Sequence, residues 1–86
     1  MSLVTERIED NVLYLELNGR IDSSNADQAE ELIKAIKEAH PDLQSVLDAE
    51  NLEYLSSAGL RVVLRMRKDA ADLKIINVST EVYEIL

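Results

Sequence analysis

The chain has 86 residues, no cysteine and a formal charge of −8, from 17 acidic against 9 basic side chains. That size suits one domain, just above the roughly 70–80 residues below which a single core rarely suffices, and the lack of cysteine excludes a disulfide framework or a thiolate metal site and fits a reducing cytoplasm. The acidic balance, with three tyrosines and no Trp or Phe, argues against nucleic acid, which calls for cations along its backbone and flat rings against its bases.

A hydrophobic content of 47% is that of a globular chain. No apolar run approaches the roughly 20 residues that cross a bilayer, and no secretory apolar region follows Met1, so direct membrane insertion is not expected.

Residues 4–9 and 12–18 (VTERIE and VLYLELN) alternate apolar and polar at period two around Asp10-Asn11, which predicts a β-hairpin with a two-residue turn. Gly19 ends the second strand, and Arg20-Ile21-Asp22 leads into a loop. Ser23, Ser24 and Asn25 are all competent helix caps. Asn25 with Gln28 has capping-box spacing, and Asp27, Glu30 and Glu31 supply the negative charge that a helix start favours. Ala29, Leu32, Ile33, Ile36 and Ala39 recur at helical spacing as one stripe to be buried, and His40-Pro41 ends the helix.

Ser45–Asp48 predicts a short aliphatic strand, followed by polar Glu50-Asn51. A second helix is expected from about Ser57 to Ala71, with Leu60, Val63 and Leu64 inward and Val62 and Met66 widening the apolar face. Leu73–Val78 is a further strand, after which Ser79 caps a final helix carrying Val82, Ile85 and Leu86. The expected order is ββαβαβα. Its last two strands, joined by a helix, should be parallel with a right-handed crossover, giving an α/β sandwich: a small mixed sheet flanked by helices.

Few residues suggest chemistry. His40 is the single histidine and has neither a nucleophile nor fellow ligands within sequence reach, so a helix C-terminus, where its protonation suits the dipole, is its expected place. Ser57 with Gly59 resembles part of a nucleophile elbow, but the leading glycine is absent. Two glycines cannot build a phosphate-cradling loop. Asp48 stands where a receiver domain would carry its phosphorylated aspartate, yet the paired acids and the later lysine do not occur in order. No metal, cofactor or enzyme active site is expected. Arg61, Arg65 and Lys68 fall at i, i+4 and i+7 as a basic stripe, either a solvated face or a rim that pairs with acids on a partner.

The adjacent serines, Ser56 and Ser57, are the remaining signal. One of them caps the second helix, but no Glu or Gln stands three residues beyond either, so the reciprocal capping box is not completed. Ala58-Gly59 then leaves the first turn bare at a glycine cost of about 1 kcal/mol, which suggests a surface that a partner approaches closely.

The segment LEYLSSAGLRVVL, residues 52–64, is similar to the signature segment of STAS domains, specifically the bacterial anti-sigma factor antagonists. The resemblance extends to the opening hairpin, to NGRIDSSNA at the entry to the first helix, to SVLDAENLEYLSSAGL and to the strand LKIINV. It implies that residues 1–86 are a single STAS domain. It also implies truncation at the C-terminus, since the family fold continues through a further strand and helix.

The resemblance further implies phosphorylation at Ser57, the serine two before the glycine. It implies a partner-binding surface of Asp22, Ser23, Ser24, Ser56, Ala58, Gly59, Leu60 and Arg61, in which Asp22 is the family's loop aspartate. Many members have aspartate before the target serine; this chain has Ser56. The implied mechanism is partner switching in a cytoplasmic, monomeric regulator of transcription. The unphosphorylated protein binds an anti-sigma factor that is also a serine kinase, freeing a sigma factor; phosphorylation releases it; a metal-dependent serine phosphatase resets it. The alternatives are a STAS subunit of a signalling scaffold or of a membrane transporter complex.

Overall fold

The computed structural model describes residues 2–85, the side chain of residue 85 excepted. In chain order the elements are β1 (Val4–Glu9), β2 (Val12–Leu17), β3 (Gly19–Ile21), α1 (Ala26–Ala39), β4 (Gln44–Asp48), β5 (Leu52–Leu55), α2 (Ser57–Asp69), β6 (Lys74–Ile76) and α3 (Thr80–Ile85). The predicted mixed sheet is present in the order β1-β2-β4-β6, with β1 antiparallel to β2 and β4 parallel to both β2 and β6.

The hairpin turns through Asp10 and Asn11, whose φ angles of 52° and 64° are the left-handed pair that matches a two-residue turn to strand twist. Period two then puts Leu13, Leu15 and Leu17 of β2 on one face, fully buried. With Val4 and Leu47 they meet Ala26, Ala29 and Ile33 of α1, Val62, Val63 and Met66 of α2, and Val82 of α3 in a single core. Each Leu, Ile, Val or Met side chain among them contributes about 1.5–3 kcal/mol on burial, so this layer holds the domain together.

Two short strands go beyond the expected order. Gly19–Ile21 is a strand where a loop was predicted, and Leu52–Leu55 is a strand directly before α2; they pair in parallel as a separate two-stranded ribbon. Three further expectations are corrected. Ala39 is exposed, because it is the last residue of α1 and lies beyond the half-buried Ile36. Leu64 is 56% exposed rather than inward, because α2 turns Gly59, Val62, Val63 and Met66 to the core. The Asn25–Gln28 capping box is absent: the Asn25 side chain caps nothing, and instead accepts from the Asp22 amide and donates to the Arg20 carbonyl, each at 2.9 Å.

His40 is the C-cap of α1 as expected, and its Nε2 lies 2.9 Å from Glu6 Oε2 on β1. Asp48 is a structural acid. It is 3% exposed and accepts from Arg7 Nη2 (3.2 Å), Asn77 Nδ2 (3.0 Å) and the Glu50 amide (3.0 Å). Arg7 reaches it from β1 across β2 while also pairing with Glu9 and Glu16, and the Glu9 interaction foremost raises the guanidinium pKa. Ser79 Oγ accepts from the Val82 amide and starts α3, as predicted; the side chains of residues 85 and 86 lie outside the described residues. Among the described residues no helix is long and apolar enough to cross a membrane, and no group of acids or histidine is placed to hold a metal ion.

Candidate functional site

The β3–β5 ribbon explains how two stretches distant in sequence share one edge of the molecule. Ile21 and Leu55 are partners in a parallel register, so the chain leaves both strands on the same side. After Ile21 comes the Asp22–Asn25 loop into α1; after Leu55 come Ser56 and α2. The Ser56 amide donates to the Ile21 carbonyl at 2.9 Å and extends the pairing by one bond into the junction.

Ser56 and Ser57 have different tasks. Ser56 is the N-cap in extended backbone, φ −80° and ψ 175°, and its Oγ accepts from the Gly59 amide at 3.3 Å. Ser57 is the first helical residue and is exposed, and its hydroxyl bonds no other described residue. The first amides of a helix have no carbonyl partner within it, and α2 carries no acid in its first turn to answer them. Electropositive backbone therefore surrounds an unoccupied hydroxyl.

Gly59 is present for an internal reason, which corrects the expectation that Ala58-Gly59 leaves the turn bare. Gly59 is buried, and a Cβ there would lie 2.5 Å from Leu55 Cδ1 and 3.1 Å from both Ile21 Cγ2 and the Ile21 carbonyl oxygen. The glycine lets the first turn of α2 sit directly on the ribbon. Ala58 and Leu60 are half-buried against the core, so of the expected contact residues on α2 the fully exposed ones are Ser57 and Arg61.

The loop opposite is ordered by its own side chains. Asp22 Oδ1 accepts from the Ser24 hydroxyl and from the Ser24 amide at 2.9 Å. These two bonds hold the Asp22 carboxyl below the usual carboxylate range, with a smaller contribution from the charge of Arg20. Asp22 is half-buried, and Ser23 and Ser24 are exposed. The structure thus brings Asp22, Ser23 and Ser24 to the same junction as Ser56, Ser57 and Ala58.

Two residues at this junction had no local signal. Arg20 and Tyr54 are register partners on the outer side of the ribbon, with the guanidinium carbon 4.4 Å from the ring centroid, a cation–π contact of about 0.5–1 kcal/mol at an exposed site. Their pairing is visible only once β3 and β5 are known to be strands. The basic stripe is also altered by tertiary contact. Arg65 is held by both carboxylate oxygens of Glu30 on α1, at 2.7 and 2.9 Å, and Arg61 and Lys68 remain exposed.

Comparison with known proteins identifies the family and supports the fold. A model of the STAS domain matches residues 4–86. A Bordetella bronchiseptica protein named "Putative anti-sigma factor antagonist BtrV" is 42% identical over 69 residues, 79% of this chain and 57% of that protein, so the chain spans little more than half of this relative's length. A crystal structure of Mglu superposes with a TM-score of 0.68 over 91% of this chain and 20% of that one, at 16% identity, which speaks to the fold alone.

Proposed function

The chain belongs to the STAS domain family, and from that premise we propose that it acts as an anti-sigma factor antagonist switched by phosphorylation of Ser57. In its unmodified form it docks an anti-sigma factor that is a serine kinase, and a sigma factor is released to direct transcription. The action is that of a cytoplasmic monomer without an active site of its own.

The observation that carries this reading is the division of labour between the two serines. Ser56 is occupied as the cap, whereas Ser57 presents a free hydroxyl beside the Asp22 loop. In the transfer, Ser57 Oγ attacks the γ-phosphorus of ATP, the bond to the β-phosphate oxygen breaks, ADP leaves, and a base of the kinase takes the hydroxyl proton. A metal-dependent serine phosphatase returns the hydroxyl by adding water across the O–P bond.

The position suits a switch. A phosphoryl group brings about −1.5 to −2 charges and three acceptor oxygens. At the first residue of α2 these face unpaired amides, and Arg61 stands one turn on, so the fold accepts the anion. A partner that has desolvated a neutral hydroxyl does not, since like-charge or unpaired juxtaposition costs several kcal/mol. The test is to mix the protein with candidate anti-sigma kinases and ATP and to locate the phosphate by mass spectrometry. Modification at Ser57 alone supports the reading. Binding without phosphate transfer, or transfer to Ser56, removes Ser57 from it.

A further inference from the structure

We infer that the outer face of α2, centred on Leu64, is a docking surface for an acidic amphipathic segment of the partner protein. This goes beyond the serine-bearing turn and rests on the partner-binding reading only for the identity of that partner.

Ser57, Arg61, Leu64 and Lys68 follow one another at steps of four, three and four, which keeps them on one side of a helix. All of them are exposed, and Val62, Val63 and Met66 face the core from the other side. A lone exposed leucine is ordinary on a protein surface. This one is 56% exposed between two cations on the same face, the arrangement of an apolar contact with a charged rim.

The charge of the chain makes the surface selective. α2 carries four of the nine basic side chains and a single acid, Asp69, within a molecule of charge −8. Off this helix the arginines are engaged, Arg7 by Glu9, Glu16 and Asp48 and Arg20 by the Tyr54 ring, and on α2 Arg65 is tied to Glu30. Among the described residues the other three cations of α2, Arg61, Arg67 and Lys68, are exposed and have no ion pair. The ammonium groups of Lys34, Lys37 and Lys74 are unpaired as well, but only on α2 do three such cations share one helix. The Glu30–Arg65 tie borders the stripe and links α2 to α1. An acidic segment is drawn to this side and repelled by the rest of the molecule. Its apolar residue seats on Leu64, and its carboxylates meet Arg61 and Lys68.

Two measurements test this. In the first, the isotopically labelled chain is titrated with a synthetic helical peptide bearing leucines on one face and glutamates on the other, read by amide chemical shifts. The shifts should centre on residues 61–68, weaken with salt, and vanish in L64A and in R61E/K68E; absence of binding, or shifts confined elsewhere, overturns the surface. In the second, L64A and K68E are titrated against an anti-sigma kinase that binds the wild-type chain, and each should bind about tenfold more weakly. Equal binding of wild type and variants overturns the α2 surface and leaves the role of Ser57 standing. A peptide response on α2, with no kinase bound by the wild-type chain, supports the surface and removes the antagonist reading.

Discussion

Gly59 packs against Ile21 too closely for a side chain to fit freely: a Cβ on Gly59 would approach the Ile21 carbonyl oxygen to 3.1 Å. The same carbonyl accepts the Ser56 amide at 2.9 Å. These contacts tie the first turn of α2 to the end of β3, and through it the serine pair to the Asp22 loop.

Gly59→Ala should therefore destabilise the protein, although alanine is the better helix former by about 1 kcal/mol. The methyl group has to displace Leu55 Cδ1, 2.5 Å from where it would stand, inside the packed core. Overpacking of this kind costs about 1–3 kcal/mol, so chemical denaturation should show a net loss. A gain in stability would mean that the first turn is not seated as described.

The two serines should separate cleanly on substitution. Ser56→Ala removes the cap and should cost about 1 kcal/mol, with phosphate still transferred to Ser57. Ser57→Ala should leave the unfolding midpoint unchanged, keep partner binding and accept no phosphate. Ser57→Asp should fold normally and bind more weakly. Paired denaturation and kinase assays check all three variants.

Asp22→Ala removes the acceptor that orders Ser24. Recognition should suffer more than stability, with partner affinity falling about tenfold and little change in the denaturation midpoint. An unchanged dissociation constant would take the loop out of the docking surface.

Asp48→Ala should be among the most destabilising single changes, at about 2–3 kcal/mol. It leaves Asn77, the Glu50 amide and Arg7 without their shared acceptor, softened because Arg7 is itself partly solvated. Partner binding by the fraction that remains folded should be unaffected.

Glu30 gives the domain a pH dependence of known sign. The bidentate Arg65 hydrogen bonds hold the Glu30 carboxyl below its ordinary value. A lowered folded-state value stabilises the protein fully above the ordinary carboxylate range, and that contribution is lost as pH falls through the lowered value. Glu30→Gln should flatten this acid limb of the stability profile. An unaltered profile would mean that the tie does not persist in solution.

Much of the fold was legible because its signals are local. The hairpin followed from period-two alternation and from Asp10-Asn11, which tolerate positive φ. Ser79, and one or other of Ser56 and Ser57, are readable as caps from their places before apolar runs. What was not legible depends on distant partners. β3 and β5 are three and four residues long, too short for alternation to register, and exist because they pair with each other. The sequence places Leu64 inward because Leu60, Val63 and Leu64 fit a buried stripe as well as Val62, Val63 and Met66 do; Gly59 on the ribbon selects the second phase. The pairing of Asn25 with Arg20 and Asp22, rather than a capping box, likewise needs the loop geometry. At the site, the likeness of residues 52–64 to STAS domains pointed to Ser57. The occupied state of Ser56, the burial of Gly59 and the Arg20–Tyr54 contact came only with the structure.

The most direct test of the switch is calorimetric titration of the anti-sigma kinase with unmodified chain and with chain phosphorylated at Ser57, each first matched by circular dichroism. The account predicts identical spectra and an affinity at least about a hundredfold lower for the phosphorylated form. Equal affinities for two equally folded forms would contradict it.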